Sequence, residues 1–451
     1  MPYLYHTEED RREMLAALGL DSEDELFDGI PKQYRMTEPL AVGPGLSEHE
    51  TIRYFEALGE RSNAAGSMVS FLGGGVYDHV VPSVVGHLAG RSEFYTAYTP
   101  YQAEVSQGTL QVIFEYQTMI SRLTGLPVAN ASMYDAATAL AESALMAAKV
   151  TGRSELLVSE SVNPRYREVL QTYAAQQGLK LTPLPVTGDG STDSAPLCAS
   201  LSDNTAGVVL QTPNYFGVLE APWTCGDAIR QAGALLVVAV DPVSLSLFKP
   251  PGEYGADIAI GEGQLLGNHV SFGGPLLGFM ACDRKYIRNL PGRLVSETRD
   301  IEGVRAYTLT LQTREQHIRR EKATSNICTN QGLLALRSTI HLALLGEAGF
   351  HELGKICHAK AHRLASMIVG IPGYSLRYRG PFFREFVVRC AVDARAVVDN
   401  ARASGILAGI PLQKYFGDDA RNDLLIAVTE KRSDEDFTRF CDVLRKTGSA
   451  R

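Results

Sequence analysis

Short apolar runs alternate with amphipathic segments through the middle of the chain. ELLVS (155–159), AGVVLQTP (206–213) and LLVVAVD (235–241) are separated by stretches with helical spacing, such as PRYREVLQTYAAQQG. Continuous apolar strands that alternate with helices are typical of a mainly parallel sheet covered on both faces. We therefore expect an α/β fold, in which DIAIG and LGFMAC complete the sheet.

The two ends of the chain differ from this alternating middle. Near the N-terminus, the capping boxes TEED (7–10) and SEHE (47–50) each precede a helical pattern. Towards the C-terminus, a helix over 332–348 leads to strands such as LLIAVTE (424–430) and to an amphipathic closing helix. The sequence predicts a helical arm over residues 1–66, a major α/β domain over 67–310, and a linker helix with a small α+β domain over 311–451.

The composition narrows the classes of function. The 451 residues are 45% hydrophobic and 21% charged, and the formal net charge of −8 argues against a dedicated nucleic-acid binder. No apolar stretch reaches the ~20 residues that span a bilayer, and the N-terminus does not resemble a signal peptide. The seven cysteines are scattered without a CxxC pair, which favours reduced thiols over a disulfide framework or a zinc site. We expect a cytoplasmic protein that binds no metal, nucleic acid or membrane.

The stretch from Val240 to Gly278 has the layout of a cofactor floor. An apolar strand ends at Asp241, a second strand follows, and a glycine-rich turn runs into SFGGP. This layout resembles the aspartate aminotransferase-like, fold-type I pyridoxal-phosphate (PLP) enzymes, in which the acid lies under the pyridine nitrogen and a lysine after the second strand holds the cofactor. That lysine is missing here, and Leu265 in GEGQLL (261–266) lies near its place. We therefore expect a chain with no catalytic residue of its own and no bound cofactor.

The start of the small-residue helix at 135–149 departs from a PLP site in a second way. In fold-type I enzymes the N-terminus of this helix holds the phosphate. Here Tyr134 is bulky, and Asp135 is anionic and would repel a phosphate. Aspartate is also a good N-cap, so helix capping is the alternative explanation for Asp135.

A tyrosine-rich segment follows a run of three glycines. Gly73–Gly75 allow the backbone to approach a ligand closely. The next thirty or so residues combine acidic, amide and histidine side chains with Tyr77, Tyr95, Tyr98 and Tyr101. Amphipathic aromatics with few torsions suit a pocket or a subunit contact, whereas a structured loop that bridges two elements is the alternative.

Other residues carry weaker signals. His358 and His362 are spaced to bind a metal from one helix face, but a third ligand is missing nearby. Arg314, Arg319 and Arg320 could bind an anion or lie on a solvated helix face. The sequence contains no nucleophile elbow, HExxH, P-loop or dinucleotide fingerprint.

Seven motifs along the chain resemble a single family. They are HTEEDRREML (6–15), SFLGGGVYDHVVP (70–82), FYTAYTPYQAEVSQG (94–108), SMYDAATALAE (132–142), PGRLVSET (291–298), REKATSNICTNQ (320–331) and LLIAVTEKR (424–432). They are similar to the P-protein of the glycine cleavage system, glycine dehydrogenase (decarboxylating), in its split form with a separate α subunit (subunit 1). FYTAYTPYQAE and KATSNICTN are highly specific.

The resemblance implies an aminotransferase-like fold in an α2β2 heterotetramer. PLP would be bound by a lysine of the β subunit, and the active site would lie near the αβ contact. Glycine would lose CO2 there, and its aminomethyl group would pass to the lipoyl arm of the H-protein. This chain would be the paralogous half without the lysine.

Our hypothesis is that this chain supplies walls and hydrogen bonds to the pocket of the β subunit. The candidate residues are Tyr95, Thr96, Tyr98, Tyr101 and Glu104, with Ser325 and Asn326 opposite. The alternative function is a self-sufficient PLP-dependent amino-acid decarboxylase or transferase that uses Lys249 or Lys322. A structural or regulatory subunit that contributes nothing to the site is a third possibility.

Overall fold

The computed structural model describes residues 5–36, 38, 40–62, 68–325, 327 and 329–449. It divides into two compact units, Met1–Asn63 and Ala64–Arg451. The helices are α1 (Glu8–Leu18), α2 (Glu48–Glu60), α3 (Ser83–Ala89), α4 (Ser92–Tyr95), α5 (Gln107–Thr124), α6 (Ala136–Thr151), α7 (Pro164–Gln177), α8 (Ser194–Ser200), α9 (Trp223–Gln231), α10 (Gln316–Arg319), α11 (Gly332–Val369), α12 (Ala394–Ala403), α13 (Gln413–Phe416) and α14 (Asp434–Ser449). The strands are β1 (Val69–Ser70), β2 (Val128–Ala129), β3 (Glu155–Ser159), β4 (Lys180–Leu184), β5 (Thr205–Thr212), β6 (Leu235–Val240), β7 (Ile258–Glu262), β8 (Gly278–Cys282), β9 (Leu294–Arg299), β10 (Arg305–Thr310), β11 (Ser375–Leu376), β12 (Glu385–Arg389), β13 (Ile406–Leu407), β14 (Ile410–Pro411) and β15 (Asp423–Ala427).

The N-terminal unit is built on two capped helices. Thr7 and Ser47 accept hydrogen bonds from the backbone N–H groups of Asp10 and Glu50, whose side chains accept from the N-cap backbone in return. Both predicted capping boxes are confirmed. None of the described residues of 5–62 is buried, so this unit has no core of its own.

A seven-stranded sheet forms the centre of the larger unit. Its order is β2-β8-β7-β6-β5-β3-β4. Neighbours from β7 to β4 are parallel, whereas β8 runs antiparallel to β7 and to β2. The predicted mainly parallel α/β sheet is confirmed.

Successive residues of the central strands point to opposite faces of this sheet. Leu236 and Val238 join the core that contains residues of α5, α9 and α11. Leu235 and Val237 join the core that contains residues of α6 and α7. Because both faces are covered, the strands are apolar throughout rather than alternating.

The C-terminal part contains a second, four-stranded antiparallel sheet, in the order β11-β12-β15-β14. Its core includes Phe386, Ile426, Phe437 and Phe440, together with residues of α11 and α12. The sheet and its helices have the α+β composition that the sequence predicted, while the boundary at 310/311 stays a prediction.

Helix α11 is interrupted at Gly346, whose φ of 59° and ψ of −175° are not helical, and a second helical stretch continues beyond this kink to Val369. The helix predicted over 332–348 ends close to the kink. By length and hydropathy alone, α11 is the one helix in the described part of the chain that could cross a membrane. Ala361, Leu364 and Ile368 on this helix are buried in the protein core. This burial is typical of a core helix.

The segment after β5 meets the segment before β12, and this contact sets the position of the functional site. Val218 forms a bridge with Phe382, and the Leu219 N–H donates to the Pro381 carbonyl at 2.7 Å. Gly217 has φ +84°, and a Cβ there would overlap the backbone carbonyl of Glu385. The contact brings Glu385 and its neighbour Arg384 to the carboxyl edge of the larger sheet.

Gly217→Ala is expected to lower the free energy of unfolding by at least about 2 kcal/mol, because it combines a left-handed backbone with a backbone overlap. Urea denaturation measures the effect. The control is Gly108→Ala, at an exposed helical glycine with no heavy atom within 4 Å of the added Cβ, which should be neutral or stabilising by up to about 1 kcal/mol. Equal stability of the two variants would contradict the assigned contact.

Candidate functional site

Asp241 follows directly on β6 and is engaged by an arginine. Its Oδ2 lies 2.7 Å from Nε of Arg384, whose side chain is 2% exposed. The other carboxylate oxygen accepts a hydrogen bond from the Val243 N–H at 2.9 Å. Burial alone would lower the pKa of Arg384, but Asp241, Tyr77, Cys357 and Glu385 together outweigh it, so the pKa is raised and the guanidinium stays charged.

The guanidinium of Arg384 covers an aromatic ring. Its carbon lies 3.8 Å from the ring centroid of Tyr77, a cation–π contact. The Tyr77 hydroxyl donates to Oε2 of Glu385 at 2.8 Å, and Oε1 of the same carboxylate accepts from the Gly74 N–H at 2.7 Å. Burial raises the pKa of Glu385 to about 7, although the Gly74 N–H and the Arg384 charge act in the opposite direction.

The triple glycine is needed for this approach. A Cβ at Gly73 would overlap Oε1 of Glu385. The sequence predicted that Gly73–Gly75 allow a close approach to a ligand, and in this structure the group that approaches Gly73 is the chain's own carboxylate.

The N-terminus of α6 is also occupied by the chain itself. Asp135 is the N-cap, and its side chain accepts from the Thr138 N–H at 2.7 Å. Glu262 reaches the same turn and accepts from the N–H groups of Ala136 at 3.1 Å, Gln264 at 3.0 Å and Leu277 at 2.8 Å. The capping explanation of Asp135 is therefore confirmed, and the acid that meets the free helix donor is Glu262, which the sequence did not indicate.

Burial dominates the titration of Glu262. The side chain is buried at the end of β7, and burial raises its pKa to about 7 although the three N–H donors favour the charged form. A carboxylate in this place occupies the donors that a phosphate would need.

A small cavity lies beside these groups. It has a volume of about 30 Å³ and is lined by residues that include Gly75, Asp241, Glu262 and Leu265. No lysine is among the described residues that line this cavity, and Lys249 and Lys322 are both exposed.

The tyrosine-rich segment forms a separate surface. Tyr95 and Tyr98 are 68% and 79% exposed. They line a pocket of about 110 Å³. Its other lining residues include Asn330, just before α11, and Leu333 and Leu336 near the start of that helix. Both side chains are thus largely exposed beside two leucines. We call Tyr95, Tyr98 and this pocket the tyrosine surface.

Tyr101 is held at the edge of this surface by Arg293. The Arg293 Nη2 donates to the Tyr101 hydroxyl at 3.0 Å and its Nη1 donates to Oδ1 of Asn330 at 3.3 Å. Arg293 is 3% exposed and lies 3.7 Å from Glu315. Sequence reasoning quoted PGRLVSET only as a family motif and missed this role, although an arginine that follows Pro-Gly in an apolar context was a usable signal.

The other candidate residues lie apart from the tyrosine surface. Thr96 is exposed and its hydroxyl donates back to the Ser92 carbonyl. Glu104 is exposed and does not line the pocket. Ser325 lines a different groove, of about 660 Å³, with Glu142 and Arg320, so the structure does not bring it opposite the tyrosines. Asn326 lies outside the described residues.

The weaker signals have structural explanations. His358 and His362 have ring centroids 4.1 Å apart and pair with the carbonyls of Phe383 and Phe382. The described residues contain no group of three or more metal-ligating side chains. Arg314 donates to backbone carbonyls, including Gly292 at 3.0 Å, and is therefore not a free anion-binding side chain.

These features define a fold-type I PLP-transferase fold, in which Arg384 pairs with Asp241 and Glu262 meets the N-terminus of α6. A crystal structure of glycine decarboxylase (P-protein) of the glycine cleavage system, in inhibitor-bound form, matches with a TM-score of 0.91 and 45% identity over 99% of this chain and 100% of that chain. A sphingosine-1-phosphate lyase from Burkholderia pseudomallei, at TM-score 0.67 and 13% identity over 92% of each chain, shares the fold alone.

The family model for the glycine cleavage system P-protein matches residues 1–444. A probable glycine dehydrogenase (decarboxylating) subunit 1 from Prosthecochloris aestuarii is 50% identical, covering 98% of this chain and 99% of the relative. The protein of the same description from Moorella thermoacetica is 48% identical, covering 99% of both. The chain belongs to the glycine cleavage system P-protein family. The recognition from its motifs is confirmed, and so is the assignment to glycine dehydrogenase (decarboxylating).

Arg384→Met is expected to destabilise the protein by about 3–5 kcal/mol, because it leaves Asp241 buried without its partner. Adding Asp241→Asn should restore part of that loss, since the double variant buries no unpaired charge. Urea denaturation of both single variants and the double variant gives the coupling free energy.

The exposed pair Arg445–Asp442, at 2.6 Å, provides the control, and Arg445→Met should cost no more than about 1 kcal/mol. Additive effects of the Arg384 and Asp241 substitutions would mean that the pair is not coupled.

Proposed function

We propose that this chain is the α subunit of a heterotetrameric (α2β2) glycine decarboxylase, that it binds no PLP itself, and that it completes the active site of a PLP-bearing β subunit. Glycine loses CO2 in that site, and its aminomethyl group passes to the lipoylated H-protein. PLP on the partner supplies the electron sink for decarboxylation. The observation that carries the proposal is the Arg384–Asp241 pair, which closes the cofactor position in a member of the P-protein family.

Two contacts and one missing amine support the absence of PLP from this chain. Arg384 pairs with Asp241, the acid that would meet the pyridine nitrogen. Glu262 takes the Ala136 N–H at the helix N-terminus that would meet the phosphate. Leu265, which lies where the lysine is expected, is 2% exposed and has no amine to offer. Each of these features alone would weaken cofactor binding. Together they act against the binding of both the pyridine ring and the phosphate of PLP.

The tyrosine surface is the proposed contribution to the partner's site. Tyr95 and Tyr98 present hydroxyls that can donate hydrogen bonds to an anionic group, while the exposed carboxylate of Glu104 can accept from a cationic one. Their rings have few torsions to order on binding. Ser325 and Asn326 remain proposed pocket residues, but Ser325 lines the groove beside Glu142, which favours a role separate from the tyrosines.

The N-terminal unit is proposed to pack against another subunit. None of its described residues is buried, and Leu26, Phe27, Ile52 and Phe55 are among its exposed apolar side chains. Apolar surface of this kind is stabilised by burial in an assembly. The proposed location is the cytoplasm, which the free thiols of the six described cysteines favour.

Tyr98→Phe and Glu104→Gln are each expected to slow glycine decarboxylation by the reconstituted αβ complex by roughly 10-fold to 100-fold, the effect of losing one hydrogen bond to a charged group. The rate of 14CO2 release from carboxyl-labelled glycine measures this loss. Glu435→Gln, at an exposed carboxylate of α14, is the control and should leave the rate unchanged. Unchanged rates in both variants, with normal assembly, would instead favour the structural or regulatory subunit.

The isolated chain is expected to remain colourless after addition of PLP, because its own cofactor position is filled. Absorption spectra before and after borohydride reduction test this expectation. A reducible band that disappears in Lys249→Ala or Lys322→Ala would support the self-sufficient PLP enzyme and overturn the proposal.

A further inference from the structure

Two cysteine side chains meet where α8 packs against α9. The Sγ atoms of Cys198 on α8 and Cys225 on α9 lie 3.8 Å apart. The sulfurs are thus in contact but not bonded, since a disulfide requires about 2.05 Å between them. The two residues are 27 positions apart in the chain, so the fold brings the thiols together without any local CxxC pattern.

The two thiols differ in their access to solvent. Cys198 is exposed, whereas Cys225 and the remaining described cysteines are buried. A cysteine that only fills space gains by being buried, which Cys198 is not. Burial raises the pKa of Cys225, and the thiolate is the reactive form of the side chain. A small thiol-reactive molecule therefore meets Cys198 first, with Cys225 directly behind it.

A buried acid fixes the segments that lead into the two helices. Glu220, shortly before α9, is 6% exposed. Its carboxylate accepts hydrogen bonds from the N–H and the hydroxyl of Thr192, both at 2.9 Å. Thr192 directly precedes Asp193, the N-cap of α8. The two helices are thus joined independently of the cysteines, so the sulfurs need only a local movement to form a bond.

We infer that Cys198 and Cys225 form a reversible redox-active dithiol, a modification site for low-molecular-weight disulfides. The Cys198 thiolate attacks one sulfur of the small disulfide, whose S–S bond breaks and releases one small thiolate. The Cys225 thiol then loses its proton to solvent, and its sulfur attacks Sγ of Cys198 and releases the second small thiolate. The chain gives up two electrons and two protons, and the small disulfide is reduced to two thiols. Neither cysteine lines the cavity beside Asp241 or the tyrosine surface, so this site is separate from both.

The new bond would join α8 to α9 across the strand β5 that lies between them in the chain. A cross-link over 27 positions lowers the conformational entropy of the unfolded chain. The Tm of the oxidised chain is therefore expected to exceed that of the reduced chain by roughly 3–5 °C. Dithiothreitol should reverse this shift, because it reduces the bond.

Incubation of the reduced full-length chain with oxidised glutathione tests the site, with intact mass and peptide mapping as the measurements. The wild-type chain is expected to lose two hydrogens and to yield linked Cys198 and Cys225 peptides. Cys225→Ala should stop with one glutathionyl group on Cys198, because the second sulfur is missing. Cys198→Ala, at an exposed position, should gain neither modification. Cys441→Ala, which removes a buried thiol of α14, is the control and should link Cys198 to Cys225 as the wild type does.

A wild-type chain that stays reduced, or that stops with glutathione on Cys198, would overturn the inference. So would a bond from Cys198 to any cysteine other than Cys225, or a bond that forms only after unfolding in urea. An oxidised chain with a lower Tm than the reduced chain would show that the native fold does not position the two sulfurs, and would overturn it as well. These measurements need no partner subunit, so their failure leaves the proposed function standing.

Discussion

The buried ion pair between Arg384 and Asp241 is the interaction on which the arrangement of the candidate site depends. Asp241 ends a strand of the seven-stranded sheet, and Arg384 precedes a strand of the four-stranded sheet, so one contact joins the two sheets. A buried pair gains little stability over well-packed apolar residues, because both charges lose their hydration. Its main effect is therefore positional: the pair holds the guanidinium on Asp241 and over the Tyr77 ring.

Two further acids of the chain accept hydrogen bonds from backbone N–H groups around Asp241. Glu385 takes the Gly74 N–H, and Glu262 takes the Ala136 N–H. Burial keeps the pKa of both carboxyls near 7. Buried N–H groups are costly to leave unpaired, so these donors need acceptors from within the chain. Replacing either acid would expose donors that no other described side chain meets.

The sequence predicted those features that depend on neighbouring residues. Strand apolarity predicted the sheet, and the capping boxes at Thr7 and Ser47 were confirmed because each is complete within four residues. The pairing of Arg384 with Asp241, or of Arg293 with Tyr101, joins residues far apart in the chain and leaves no local pattern. For the same reason, the composition around Ser325 indicated a pocket but not which one.

The buried charged groups of this chain pair with one another, whereas several of its aromatic side chains are left exposed. A chain that folds for itself alone gains by burying tyrosines and by relaxing left-handed residues. This chain instead fixes Tyr101 with the buried Arg293 and leaves Tyr98 and Phe272 in solvent. In the interior, Glu262 accepts hydrogen bonds both from the start of α6 and from Leu277, which directly precedes β8. The buried charged groups are thus satisfied within the chain, whereas the tyrosine surface is left open to solvent.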